Sequence, residues 1–150
     1  MTPTVSIATV ADAADWLLMR NALWPGSGRR EEEHAADIAR LLADPGDTVN
    51  VIARIGGDAA GFAEAALRHD YVNGCHSSPV AFLEGIYVKP QFRRGGVARA
   101  LVGAIEGWAR ERGCAEFASD ADIGNRDSQA MHSALGFGET QRVVYFRKVI

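Results

Sequence analysis

Ala81-Phe82-Leu83-Glu84-Gly85-Ile86-Tyr87-Val88-Lys89-Pro90-Gln91-Phe92-Arg93-Arg94-Gly95-Gly96-Val97-Ala98 is the stretch whose reading decides the fold. Its first eight residues form an apolar, partly β-branched run of strand length that carries one carboxylate, Glu84. Lys89-Pro90 breaks the run. From Val97 a helical stripe continues through Leu101, Ile105 and Trp108, and Gly113 supplies the residue that closes the helix. A strand, a glycine-arginine loop and a helix in this order place the unpartnered first-turn amides, at the positive end of the helix dipole, against the loop. That arrangement predicts a site for an anion such as a pyrophosphate. Gly95, Gly96 and the small Ala98 leave room for its approach, and Arg93 and Arg94 add charge. The three-glycine dinucleotide spacing and the Lys-Ser/Thr ending of a P-loop are both absent.

Upstream, Thr48 to Ile55 alternates Val49, Val51, Ala53 and Ile55 with more polar neighbours. Gly56-Gly57-Asp58 then turns into a second strand, Ala60 to Arg68, predicting a hairpin. Val5 to Ala8 reads as a short strand, and Thr9 with Asp12 marks a helix start leading to Trp16, Leu17, Arg20 and Leu23 before Pro25. Gly26-Ser27-Gly28 reads as a break, and Glu31 to Leu42 as a second helix with three glutamates in its first turn. Downstream, Glu116 to Asp120 is a short strand reached by a helical crossover, so it should lie parallel to the Ala81 strand. Asp127 to Leu135 reads as a helix and Arg142 to Val149 as a terminal strand. The order is α+β on a mixed central sheet flanked by helices, and residues 1–150 read as one domain.

The 150 residues are 47% hydrophobic, with a net charge of −3 and a pI near 5.8. That charge argues against a nucleic-acid partner and favours cationic ligands wherever carboxylates cluster. No run approaches the roughly 20 apolar residues that span a bilayer, and Met1-Thr2-Pro3-Thr4 lacks the features of a signal peptide, so the expected location is cytoplasmic, with no membrane partner. Cys75 and Cys114 are too few for a disulfide framework or a four-cysteine metal site, and no metal is expected.

The spacing Arg93-x-x-Gly96-x-Ala98, with its Leu83-Glu84-Gly85-Ile86-Tyr87-Val88-x-Pro90 lead-in, resembles the acyl-CoA pyrophosphate loop of the GNAT N-acetyltransferases. The element order is also similar to theirs. The resemblance implies the GNAT acyl-CoA N-acyltransferase fold, in which two parallel strands splay apart beyond a bulge and take the pantetheine arm of acetyl-CoA between them. Glu84-Gly85 is the expected bulge, because an isolated glycine in a strand often marks one. Acetyl-CoA is then the expected cosubstrate. Its contacts are expected at Ile86 and Val88, whose region offers a backbone amide to the oxyanion, at Arg93, Arg94, Gly95, Gly96, Val97 and Ala98, and at Asn125 and Ser128, which capping alone would also explain.

Leu23-Trp24-Pro25, Asp70-Tyr71-Val72-Asn73-Gly74-Cys75, Ala118-Ser119-Asp120 and Glu139-Thr140-x-Arg142-Val143 resemble stretches of the aminoglycoside 6′-N-acetyltransferases of Gram-negative bacteria. This narrower resemblance implies acetyl transfer to an aminoglycoside amine by direct attack in a ternary complex, giving antibiotic resistance, and a homodimer. The matching substrate positions are Trp24, Tyr71, Glu84, Asp120 and Glu139. Glu84 or Asp120 is the candidate base, directly or through water, although either can equally anchor the amine. His132 falls where many relatives of the broad family carry a tyrosine acid. Each position also has a plainer reading: an arginine partner for Glu84, a turn or cap for Asp120, loop packing for Tyr71, core packing for Trp24, and an exposed helix position for His132.

Rival chemistries are an acyl-cysteine route through Cys75 or Cys114, and a metal bound by His69, Asp70, Cys75 and His76, whose spacing fits no familiar zinc pattern. Rival functions are acetylation of another small amine, such as a polyamine, peptide N-terminus or metabolite, and a silent acyl-CoA sensor.

Overall fold

A computed structural model of the protein describes residues 2–25 and 31–150. The glycine-rich break read at Gly26-Ser27-Gly28 lies outside the described residues. The elements are β1 (Thr4–Ile7), α1 (Ala13–Leu23), α2 (Glu31–Ala43), β2 (Thr48–Ile55), β3 (Asp58–Arg68), β4 (Val80–Val88), α3 (Val97–Glu111), β5 (Phe117–Ser119) and α4 (Arg126–Ala134). The strands lie in the order β1-β2-β3-β4-β5, antiparallel throughout except for the parallel pair β4-β5.

Helices cover both faces of this sheet, so β2 and β3 are buried on both sides and read as near-continuous apolar runs. On one face Val97, Leu101 and Ile105 of α3 pack on Val49, Val51, Ala63 and Ala65. On the other, Trp16, Met19 and Ile38 of α1 and α2 pack on Ile52 and Phe62. Each of the large side chains among these contributes about 1.5–3 kcal/mol by leaving water. Small residues in β3 set how closely α3 approaches. A Cβ on Gly61 would stand 2.5 Å from the Tyr87 carbonyl oxygen and 3.2 Å from Val97.

Two irregularities position the site. Glu64 pairs with Gly85 while Ala65 pairs with Leu83, which leaves Glu84 as the extra residue of a β-bulge, where the isolated glycine predicted one. β5 pairs only Phe117, Ala118 and Ser119 with Ala81, Phe82 and Leu83. From Glu84 onward β4 keeps β3 but loses β5, so the two parallel strands part at the bulge.

The terminal strand read at Arg142 to Val149 is not formed. Residues 137–150 have no regular structure, and Val144, Tyr145 and Phe146 are 76%, 84% and 92% exposed. Alternation makes a segment able to pair, but pairing needs an edge of matching length, and β5 offers three residues.

Candidate active site

The anion loop is built from backbone. Gly96 caps α3 at φ 82°, ψ 8°, and Arg94 is at φ 64°, a left-handed conformation that is uncommon for a residue with a side chain. A Cβ on Gly96 would meet nothing within 4 Å, so conformation rather than local crowding requires glycine there. The first bond of the helix runs from the Ala100 amide to the Gly96 carbonyl at 3.0 Å, which leaves the amides of Val97, Ala98 and Arg99 without intrahelical acceptors. Val97 is buried, so what it offers a ligand is its amide. The two arginines divide the work. Arg93 donates from Nε to the Val88 carbonyl at 2.9 Å, with its guanidinium 5.8 Å from the Tyr87 ring, and ties the loop to the end of β4. Arg94 is exposed beside exposed Gly95 and Gly96. The Ile86 and Val88 side chains pack on the α3 core, leaving the backbone of β4 facing the opening.

A cavity of about 380 Å³ lies where α1 and α2 meet β2, β3 and β4, with Trp24 and Glu84 both in its lining. Trp24 lies against β4 because Gly85 has no side chain: a Cβ there would stand 2.5 Å from the indole. The Arg20 guanidinium sits 5.1 Å from the Trp24 ring, and the His34 ring stacks at 6.2 Å. Arg20 is itself buried. It donates from Nε and Nη2 to the two oxygens of Glu64 at 2.7 and 3.0 Å, and from Nη1 to Asp37 at 2.9 Å, while Trp16 Nε1 donates to Glu64 at 2.9 Å. Burial opposes the Arg20 charge, but the Glu64 and Asp37 carboxylates outweigh it and hold its pKa above the ordinary value. Sequence reading did not single out this network. Its signal was an arginine on the apolar stripe of a helix and a glutamate within an alanine-rich strand.

Glu84 does have the arginine partner that its apolar strand calls for. Arg68 Nη2 donates to both of its oxygens, at 3.0 and 3.2 Å, and the Arg68 guanidinium lies 3.6 Å from the centre of the Phe82 ring. Asp120 is exposed and follows Ser119, the partner of Leu83, just as Glu84 follows Leu83. The two residues therefore stand one position past the same pair on neighbouring parallel strands, where β4 and β5 part. Tyr71, 73% exposed, Asp120 and Glu139 are not in the cavity lining. Glu139 is paired with Arg142, whose guanidinium holds its carboxyl below the usual range. A Cβ on Gly74 would overlap Thr140, so the Glu139 segment rests on the loop that carries Tyr71.

His132 is half-buried rather than an exposed helix residue. Its Nδ1 lies 2.7 Å from the Ser128 carbonyl oxygen and its Nε2 lies 2.7 Å from Ser119 Oγ, with Phe137 edge-on at 5.3 Å. A carbonyl oxygen only accepts, so Nδ1 carries a proton; in the neutral ring Nε2 then accepts from the Ser119 hydroxyl. Ser119 was not singled out from sequence, and its place immediately before Asp120 was the available signal. Asn125 caps α4, accepting from the Ser128 amide at 3.1 Å.

The sequence matches the acetyltransferase (GNAT) family over residues 14–137. This chain belongs to that family. Among relatives of the acetyltransferase, the aminoglycoside N(6′)-acetyltransferase type 1 of Serratia marcescens is 51% identical over 135 residues, 90% of this chain and 91% of the relative. The protein of the same name from Stenotrophomonas maltophilia is 49% identical over 145 residues, 97% and 92% of the two chains. Among solved structures, AAC(6′)-Iy in complex with the bisubstrate analog CoA-S-monomethyl-acetylneamine superposes with a TM-score of 0.93 at 43% identity, over 100% of both chains. The aminoglycoside 6′-N-acetyltransferase AAC(6′)-Ih from Acinetobacter baumannii gives 0.92 at 43% identity, over 99% of both. The acetyltransferase thus has the GNAT fold, with its mixed sheet splayed at β4 and β5.

Burial pushes the Cys75 and Cys114 thiols of the acetyltransferase up, and Glu116 adds to the shift at Cys75, which disfavours the thiolate an acyl-cysteine route needs. His69 pairs with Asp47 at 3.1 Å, and among the described residues no group of three or more His, Cys, Asp or Glu could hold a metal ion. Among the same residues no helix is long and apolar enough to cross a membrane.

Proposed function

We propose that residues 1–150 act as one acetyltransferase domain that transfers the acetyl group of acetyl-CoA to the 6′-amine of aminoglycoside antibiotics, giving resistance, in the cytoplasm and as a homodimer. The observation that carries this reading is the parting of β4 from β5 at the bulge, which sets Glu84 and Asp120 at one opening beside the anion loop. The names of the relatives support the same substrate class.

The cosubstrate's diphosphate is assigned to the free amides of Val97 and Ala98, where Gly95 and Gly96 admit it and Arg94 adds charge. Ser128 and Asn125, at the start of α4, are assigned to the pantetheine side; the Asn125 side chain is already committed to its cap. The acceptor's ammonium groups are assigned to Glu84, Asp120 and Glu139, and its ring faces to Trp24 and Tyr71. An ammonium has no lone pair, so one proton must leave before attack, through Glu84, Asp120 or water. The amine nitrogen then bonds to the thioester carbon, an amide of β4 between Ile86 and Val88 stabilises the oxyanion, and the C–S bond breaks. His132 Nε2 lies beside Ser119 Oγ and is assigned to give a proton to the departing thiolate, which it can do only with a proton on that nitrogen.

The homodimer is supported by the exposed apolar run Val144-Tyr145-Phe146, a surface that a second copy would remove from water. Thiol release from acetyl-CoA over a panel of amines tests the function. Release is expected with kanamycin or tobramycin; release with polyamines or peptides alone, or CoA binding without turnover, overturns the reading.

A further inference from the structure

We infer that Arg68 is an internal competitor at the acceptor site: its guanidinium occupies Glu84 in the free protein as an ammonium would, and an acceptor must displace it to bind. The inference rests on the function proposed above. Arg68 ends β3 and Glu84 is the bulged residue of β4, so the pair spans two strands at the point where β4 leaves β5. One guanidinium nitrogen serves both carboxylate oxygens, the geometry in which an ammonium could replace it. The two side chains are 44% and 39% exposed, a setting in which an ion pair is weak and exchangeable. The face of Phe82, 3.6 Å from the guanidinium, gives Arg68 a resting place that does not depend on Glu84.

The other cations near the cavity are already committed. Arg20 is bonded to Glu64 and Asp37, and Arg40 to Asp37 at 3.1 Å. Of the two acids in the cavity lining, Glu64 is held by buried Arg20 and Glu84 by half-exposed Arg68, so the exchange falls to Arg68. A monoamine that displaces it trades one cation for another and gains little. A polycation carries a further ammonium group to Asp120, but the cost of displacing Arg68 is the same for it as for a monoamine. Arg68 thus raises the threshold for every acceptor that uses Glu84 by the same factor.

The test compares wild type with Arg68→Gln and Arg68→Lys, measuring KM and kcat for kanamycin and for a sugar bearing one amine, with acetyl-CoA and kanamycin binding followed by calorimetry. For Arg68→Gln the expected result is a KM lowered about three- to fivefold for both acceptors, as loss of a competing exposed pair implies. The same variant should show tighter kanamycin binding and unchanged acetyl-CoA affinity. Arg68→Lys, which keeps the charge, should leave both KM values near those of wild type. Unchanged KM values in Arg68→Gln, or KM values that rise for both acceptors, overturn the inference while leaving the function intact. Absence of thiol release with either acceptor, from wild type as well, overturns both.

Discussion

Two arginine–glutamate pairs meet the same cavity, Arg20–Glu64 with both partners in its lining and Arg68–Glu84 through Glu84 alone, and behave as opposites. Arg20–Glu64 is buried, with Asp37 and the Trp16 indole completing its bonds. Arg68–Glu84 is half-exposed, with one nitrogen shared between two oxygens. The chemistry is the same, and burial decides its use. A buried charge that loses its partner has no water to turn to, so the first pair is fixed in place and holds Trp24 against β4. The second can change partners at little cost, which is what a binding group requires. Replacing Arg20 by Met breaks the buried set and leaves the Glu64 carboxylate without its cation, while Asp37 keeps Arg40. The expected loss is about 3–5 kcal/mol, a fall in melting temperature of roughly 6–20 °C for a chain of this size. A melting temperature within about 2 °C of wild type would erase the distinction between the pairs.

The donor end offers a third arrangement, in which backbone rather than side chains meets the ligand. Gly96→Asp puts a carboxylate where the phosphates are assigned and a side chain on a left-handed residue. Acetyl-CoA affinity measured by calorimetry should fall by at least about 100-fold, equivalent to about 2.7 kcal/mol. Nothing stands within 4 Å of the new Cβ, so the fold should persist. Retained affinity would move the anion away from this loop.

At the acceptor end the expected effects are smaller and confined to one substrate. Glu84→Gln and Asp120→Asn should each lower kcat/KM for aminoglycosides about tenfold, about 1.4 kcal/mol of transition-state stabilisation, with acetyl-CoA affinity nearly intact. Equal loss of cosubstrate binding in both variants would make them structural residues, like Glu64.

Legibility followed sequence distance. The strand, bulge and anion loop were readable because Glu84, Gly85, Gly96 and Val97 lie within one continuous stretch whose local pattern specifies each conformation. The pairs were not: Arg20 meets Glu64 across 44 positions, Arg68 meets Glu84 across 16, and Ser119 meets His132 across 13. Such contacts depend on register, and a bulge at Glu84 shifts every side chain beyond it. Trp24 shows the limit from another side. Packing and substrate contact stood as alternatives, and the indole both packs on Gly85 and lines the cavity. The segment from Arg142 to Val149 failed for a different reason, since its alternation states what it could pair with and not whether an edge exists.

Arg54 supplies an ion pair between the two extremes and the smallest of these effects. Its Nη2 bonds Asp12 at 2.7 Å and Asp15 at 3.1 Å, and Asp12 also accepts from the Thr9 amide at 2.8 Å at the entry to α1. Burial alone would raise the Asp12 pKa, but Arg54 and the Thr9 amide outweigh it and hold the carboxyl below its usual range. A carboxyl with a depressed folded pKa stabilises the protein above its unfolded pKa, near about 4, and that contribution is lost as pH falls through the folded value. Asp12→Asn should therefore cost about 1 kcal/mol, or roughly 2–4 °C, at pH 7. The gap from wild type should narrow as pH falls below about 4 and close once the wild-type carboxyl carries a proton in both states. Thermal melts of the two proteins between these limits decide it. A gap that stays constant with pH would mean that Asp12 acts through its shape at the helix entry, and that partial burial here leaves the charge without effect.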